Sequence, residues 1–132
     1  MRSRIQAAEM RFIKSVTGVR RIDRIRNTAI RESLNVEPLL LKIEKTQLRW
    51  FGHVLRMPEE RLTKRVFLSQ PNGRRPRGRP RKTWRSGVDD ICGRIGVIST
   101  EVQTVAEDRV QWRSKIASLQ TRPERIRGSE ND

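Results

Sequence analysis

Apolar side chains return at three- and four-residue steps over most of this chain, the spacing of one face of an α-helix. In residues 4–17, Ile5, Ala8, Phe12, Ile13 and Val16 form one stripe, and Gly18 is placed to stop the helix. The stretch RRIDRIRNTAIRESLN predicts a short helix capped at Asn27, with Ile30 and Leu34 one turn apart and Asn35 as a left-handed end. The strongest pattern follows in VEPLLLKIEKTQLRWFGHVLRMP, where Pro38 suits the first helical position. There Leu40, Ile43, Gln47, Trp50, Phe51 and Val54 make one stripe, and Leu41, Leu48 and Leu55 a second at seven-residue steps. A helix apolar over so wide an arc is expected at the centre of a bundle. Pro58 ends it and starts a short piece carrying Leu62, Val66 and Phe67.

Periodicity then stops. Between residues 69 and 82, Pro71, Asn72, Gly73, Pro76, Gly78 and Pro80 interrupt any helix or strand. Helical spacing resumes with Trp84, Val88, Ile91 and Ile95, loosened by Gly93 and Gly96. A last helix is predicted from STEVQ, with Thr100 and Gln103 as a capping box and Val102, Val105, Ala106, Arg109, Trp112, Ile116 and Leu119 on one face. The pattern predicts an all-α chain: a small helical bundle (residues 1–68), an extended basic linker (69–82), a C-terminal helical hairpin (83–120) and a polar, disordered tail (121–132).

Charge narrows the function. The 132 residues carry 30 Lys and Arg against 15 Asp and Glu, a net charge of +15, which implies a polyanionic partner. Arginine supplies 24 of the 30 cations, and its planar fork suits phosphate and base edges better than lysine does. No segment approaches the roughly 20 apolar residues that span a bilayer, and the N-terminal residues do not form a signal-peptide core. One cysteine (Cys92) and one histidine (His53) supply neither an internal disulfide nor a zinc site. The expected partner is nucleic acid, DNA or RNA, with no membrane, cofactor, metal or small-molecule substrate, in an intracellular protein.

The cations are concentrated. Residues 61–88 hold ten Lys and Arg and no carboxylate, and their centre is GRRPRGRPRKTW. Each phosphate that such a segment neutralises releases condensed counterions, which gives affinity with little demand on sequence. Pro76 and Pro80 bias the residues before them toward extended backbone. Gly78, without a side chain, lets the backbone approach a groove floor. Arg77 and Arg79 would then run in opposite directions along a narrow minor groove, where A·T tracts concentrate negative potential and a guanine amino group obstructs. Arg74, Arg75, Arg81 and Lys82 would hold phosphates, and Pro80 completes the Gly-Arg-Pro centre. The segment resembles the AT-hook, a short DNA-binding peptide.

The wider order of motifs carries a second resemblance. IQAAEMRFIKSVTGVRRIDRIRN, QLRWFGHVLRMPEERLTKRV, GRRPRGRPRKTW and AEDRVQWRS follow one another. In that order they resemble the C-terminal tail of LINE-type (non-LTR) retrotransposon endonuclease–reverse transcriptases over residues 5–116. The most specific pieces are Arg49-Trp50-Phe51-Gly52-His53-Val54, Arg56-Met57, Gly78-Arg79-Pro80-Arg81-Lys82 with Trp84, and Asp108-Arg109 with Trp112-Arg113. The resemblance implies a region downstream of the polymerase palm that holds RNA template or target DNA and carries no chemistry. Endonuclease, fingers and palm are missing, so the expectation is a truncated copy or fragment, nuclear or in a cytoplasmic ribonucleoprotein. A stand-alone AT-hook chromatin protein and a functionless retroelement remnant stay open as alternatives.

Other tempting groups carry less. Asp89 and Asp90 sit in a helical pattern and are read as partners of Arg85 and of the helix dipole, not as metal-binding polymerase aspartates. His53 is read as a packed or hydrogen-bonded core residue next to a Gly52 that permits close helix contact, and Cys92 as a small apolar filler. Trp50 and Trp112 are expected in the core. Trp84, adjoining the basic segment, is the candidate for base stacking. No catalytic residue is assigned.

Overall fold

Short helices account for all regular structure in the computed structural model, which describes residues 2–70 and 72–121. They are α1 (Arg2–Thr17), α2 (Asn27–Ser33), α3 (Leu39–Arg56), α4 (Leu62–Leu68), α5 (Trp84–Arg94), α6 (Val102–Glu107) and α7 (Arg109–Ala117), with one 3₁₀ turn at Arg21–Asp23. The chain is all-α, with no strand among the described residues. None of the described helices is long and apolar enough to cross a membrane. The predicted disordered tail, Thr121 excepted, and Pro71 of the predicted linker lie outside the described residues.

By contact the chain forms two units, one through Lys42 and the other Ile43–Leu119. The boundary falls inside α3, and the second unit spans the basic segment, so most of α3 groups with the C-terminal helices.

In the first unit α1 and α2 enclose Met10, Ile13 and Ile30, with Val19 packed against them. Phe12 and Val16, predicted on the buried stripe, are 71% and 61% exposed. The reason is the length of α2: seven residues cover only a narrow strip of α1. Glu9 ties the unit together. Its carboxylate pairs with Arg31 Nη2 at 2.9 Å, with both side chains buried, and Oε1 accepts from the Leu39 backbone N–H at 3.0 Å, satisfying one open donor of α3. Pro38 sits one residue before α3 rather than in it, and its carbonyl accepts from Lys42. Asn27 begins α2 without a side-chain cap. Asn35 ends it as expected, left-handed at φ 52° and closed by Val36 N–H to Arg31 O.

In the second unit Leu48, Phe51, Val54 and Leu55 of α3 are buried, as are Val88, Ile91, Cys92 and Ile95 around α5. Ala106, Trp112 and Ile116 of α6 and α7 join them. Polar contacts lock α3 to its neighbours. Trp112 Nε1 donates to Leu48 O at 3.0 Å, Gln103 Nε2 to Leu55 O at 3.1 Å, and Arg94 pairs with Glu44 at 2.6 Å. Buried Lys64 of α4 donates to Leu55 O and Met57 O at 2.9 and 3.0 Å, closing carbonyls at the end of α3.

The single helix expected from residue 100 is two. Asp108 leaves helical geometry at ψ 103°, and its Oδ1 accepts from the N–H groups of Val110 and Gln111, capping α7 and breaking the run. The Thr100–Gln103 capping box is not formed: Glu101 precedes α6, and Gln103 is drawn to Leu55 and Glu107.

Cys92 is the small buried filler expected. Burial first, and Asp89 second, push its thiol up to about 11 from an ordinary value near 9. The folded thiol therefore stays protonated while the unfolded one ionises. Stability is unaffected below pH 9 and falls between pH 9 and 11, by about 2–3 kcal/mol in all. Urea unfolding across that range is expected to show the loss, and Cys92→Ala to flatten that part of the curve.

Candidate nucleic-acid interface

The basic segment has the exposure an interface needs. Arg74, Arg75, Arg77, Arg79 and Arg81 are exposed and form no hydrogen bond or ion pair among the described residues. Proline and glycine keep the stretch out of any helix, as predicted, but the backbone is not straight: it bends at Gly73 and across residues 77–79. Gly73 and Gly78 stand at φ +133° and +116°, where an L side chain is strained, so Gly78 sets the bend between Arg77 and Arg79. Pro80 follows that bend in the exposed stretch. Lys82 differs from its neighbours, since its Nζ pairs with Asp90 at 2.9 Å; both side chains are mostly exposed, and screening leaves such a pair easily exchanged for a phosphate.

The segment is anchored firmly at its C-terminal end. Thr83 Oγ1 accepts from Ser86 N–H while Ser86 Oγ bonds back to the Thr83 backbone, a reciprocal cap that starts α5. Trp84 then sets its ring edge-on to Phe51 and Phe67, at centroid distances of 6.2 and 6.1 Å. It remains 41% exposed, so this ring, next to the basic segment, is both anchored and open on one side. Arg85 lies over Phe67 and Phe51 at 4.9 and 5.4 Å and pairs with Asp89 at 3.0 Å. Asp89 pairs with Arg85, as read from the sequence, whereas the pairing of Asp90 with Lys82 was not foreseen; no group of His, Cys, Asp and Glu suited to a metal ion occurs among the described residues.

Two expectations on α3 change. Trp50 is 50% exposed rather than part of the core, and His53 is exposed with its ring 5.4 Å from that of Trp50. The apolar arc of α3 is wider than the helices packed on it, so its outer edge faces solvent. Gly52 does what was expected. A Cβ there would run into the Trp112 indole, so only glycine lets α7 seat its tryptophan against the α3 backbone. Beside that contact Arg56 Nη1 donates to Ala106 O at 2.7 Å, while its buried Nε has no hydrogen-bond partner among the described residues. Burial, and then the charge of Arg109, hold the Arg56 guanidinium below the usual arginine value. The cations around this contact escaped the sequence reading because Arg49 and Arg109 are far apart along the chain; only their positions relative to Gly52 and Trp112 within the resembling motifs offered a signal.

No family model matches the chain, and no curated protein and no solved structure matches it either.

Proposed function

We propose that the chain is a non-catalytic, nucleic-acid-binding C-terminal piece of a LINE-type reverse transcriptase, acting in the nucleus. It grips DNA or RNA electrostatically through Arg74, Arg75, Arg77, Arg79, Arg81 and Lys82. The observation that carries the reading is the set of five exposed arginines without partners among the described residues, presented on an irregular segment whose far end is pinned by the Thr83 cap and Trp84. Pinning lowers the ordering cost on binding, and unpaired guanidiniums need shed no internal partner. Entry of Arg77 and Arg79 into a minor groove requires the bend at Gly78 to open into an extended backbone, a change that glycine permits.

Selectivity resides in Arg77 and Arg79, whereas the flanking cations hold phosphates. Arg77→Ala with Arg79→Ala is expected to erase a preference for A·T-rich over G·C-rich duplex while leaving salt-sensitive binding to both. Competition titrations with the two duplexes check this; a double variant that kept the preference would sink the minor-groove reading.

A further inference from the structure

The second unit carries another cationic surface, built from parts of the chain that share no residue with the basic segment. Where α3 and α7 meet at Gly52 and Trp112, a cleft opens that is lined by Lys45, Arg49 and Arg56 on one side and by Arg109 and Arg113 on the other. The spacing explains the convergence. Residues 45, 49 and 56 are four and seven apart and share one face of α3, and residues 109 and 113 are one turn apart on α7. Trp112 and Ile116 line it as apolar residues, and no carboxylate lines the cleft among the described residues. Asp108, next to Arg109, is committed to the N–H groups of Val110 and Gln111, and Glu44, next to Lys45, pairs with Arg94.

Folding alone does not account for this set. Arg49, Arg109 and Arg113 are exposed and have no hydrogen-bond or ion-pair partner among the described residues. Arg109 occupies the first position of α7, where the helix dipole disfavours a cation. Its charge also opposes that of Arg56 across the cleft. Exposed like charges such as Arg49, Arg109 and Arg113 gathered in one cleft raise the energy of the free protein and are relieved by a bound polyanion. His53 lines the cleft, and 5.4 Å from its ring, outside the lining itself, lies the ring of half-exposed Trp50.

We infer that this cleft binds the sugar–phosphate backbone of single-stranded nucleic acid, with one unpaired base stacked on Trp50. A row of cations beside an open aromatic ring is the arrangement that holds single strands, because the cations track phosphates and the ring takes a base face. A duplex keeps its base faces stacked internally and has none to offer Trp50. The cleft therefore prefers single strand, whereas residues 74–82 grip backbone of either kind.

The test uses the full chain and a fluorescein-labelled 15-nucleotide oligouridylate, read by anisotropy over a salt series. The background carries alanine at Arg74, Arg75, Arg77, Arg79 and Arg81, which silences the basic segment. This chain is expected still to bind the oligouridylate. Adding Arg49→Gln, Arg109→Gln and Arg113→Gln should weaken binding at least tenfold and lower the slope of log K against log salt by about 2, three phosphate contacts at roughly 0.7 each. Trp50→Ala should weaken it about tenfold with the slope unchanged, as loss of a stacked base without loss of a phosphate contact requires. All four side chains are exposed, and far-UV circular dichroism melts verify that the variants fold. The inference is overturned if the silenced background binds no better than the same chain lacking the three cleft arginines, or if Trp50→Ala leaves affinity unchanged. Loss of all binding on silencing the segment refutes the cleft alone, whereas an unaltered chain that binds no nucleic acid refutes the segment reading as well.

Discussion

Gly52→Ala is expected to destabilise the chain by about 3 kcal/mol, and Gly52 is the one described glycine at which an added Cβ meets another side chain closer than 3.0 Å. The new Cβ would lie 2.7 Å from Trp112 Cδ1, nearer still to Nε1, and 3.0 Å from Arg56 Nη1. The arginine tip can shift, but the indole cannot do so cheaply, because Trp112 is buried and in edge contact with Phe51 at 6.2 Å. Overpacking of this kind costs about 1–3 kcal/mol. Displacing the ring also breaks the buried bond from Trp112 Nε1 to Leu48 O, worth about another 1–3 kcal/mol. Alanine recovers only about 1 kcal/mol of helix propensity over glycine, so the clash wins. Urea unfolding followed by tryptophan fluorescence checks the figure. A variant as stable as the parent chain would mean that α7 does not seat Trp112 on the α3 backbone.

Replacing Arg74, Arg75, Arg77, Arg79 and Arg81 together by alanine is expected to weaken duplex binding about a thousandfold at 0.1 M salt. The slope of log K against log salt should fall by about 4–5 if all five guanidiniums neutralise phosphates, at about 0.9 each. Stability should barely change, within about 0.5 kcal/mol, since none of the five touches the core or holds a partner among the described residues. That separation of binding from folding is itself diagnostic: a segment that structured the protein would lower the melt as well as the affinity. Equal slopes for parent and variant would remove these arginines from the interface.

Much of this arrangement is legible in the residues, and the parts that are not have physical causes. The wide apolar arc of α3 and the Val88, Ile91 and Ile95 stripe of α5 are buried where their periodicity places them. The irregular, exposed basic stretch follows from its prolines and glycines. Periodicity, however, reports which residues share a face and not how much of that face a neighbour covers. Trp50 and Phe12 are therefore exposed although each lies on an apolar stripe. The break at Asp108 was hidden because Val102, Ala106, Trp112 and Ile116 stay buried on both sides of it, so the stripe reads through. Lys64 was counted only among the ten cations of residues 61–88, because its carbonyl partners on Leu55 and Met57 depend on the turn between α3 and α4. The α3–α7 cleft depends on pairing two distant segments, which no local pattern encodes.

On the proposed function, the basic segment makes this chain a nucleic-acid binder with a preference for A·T minor grooves. Fluorescence anisotropy of the unaltered chain tests it most directly, with A·T-rich duplex, G·C-rich duplex and single-stranded RNA titrated over a salt series. The account predicts tight binding with a steep salt dependence, and an A·T-duplex preference over G·C duplex that survives moderate salt. Equal binding to both duplexes would reduce the segment to a phosphate clamp, and weak binding with no salt dependence would contradict the account outright.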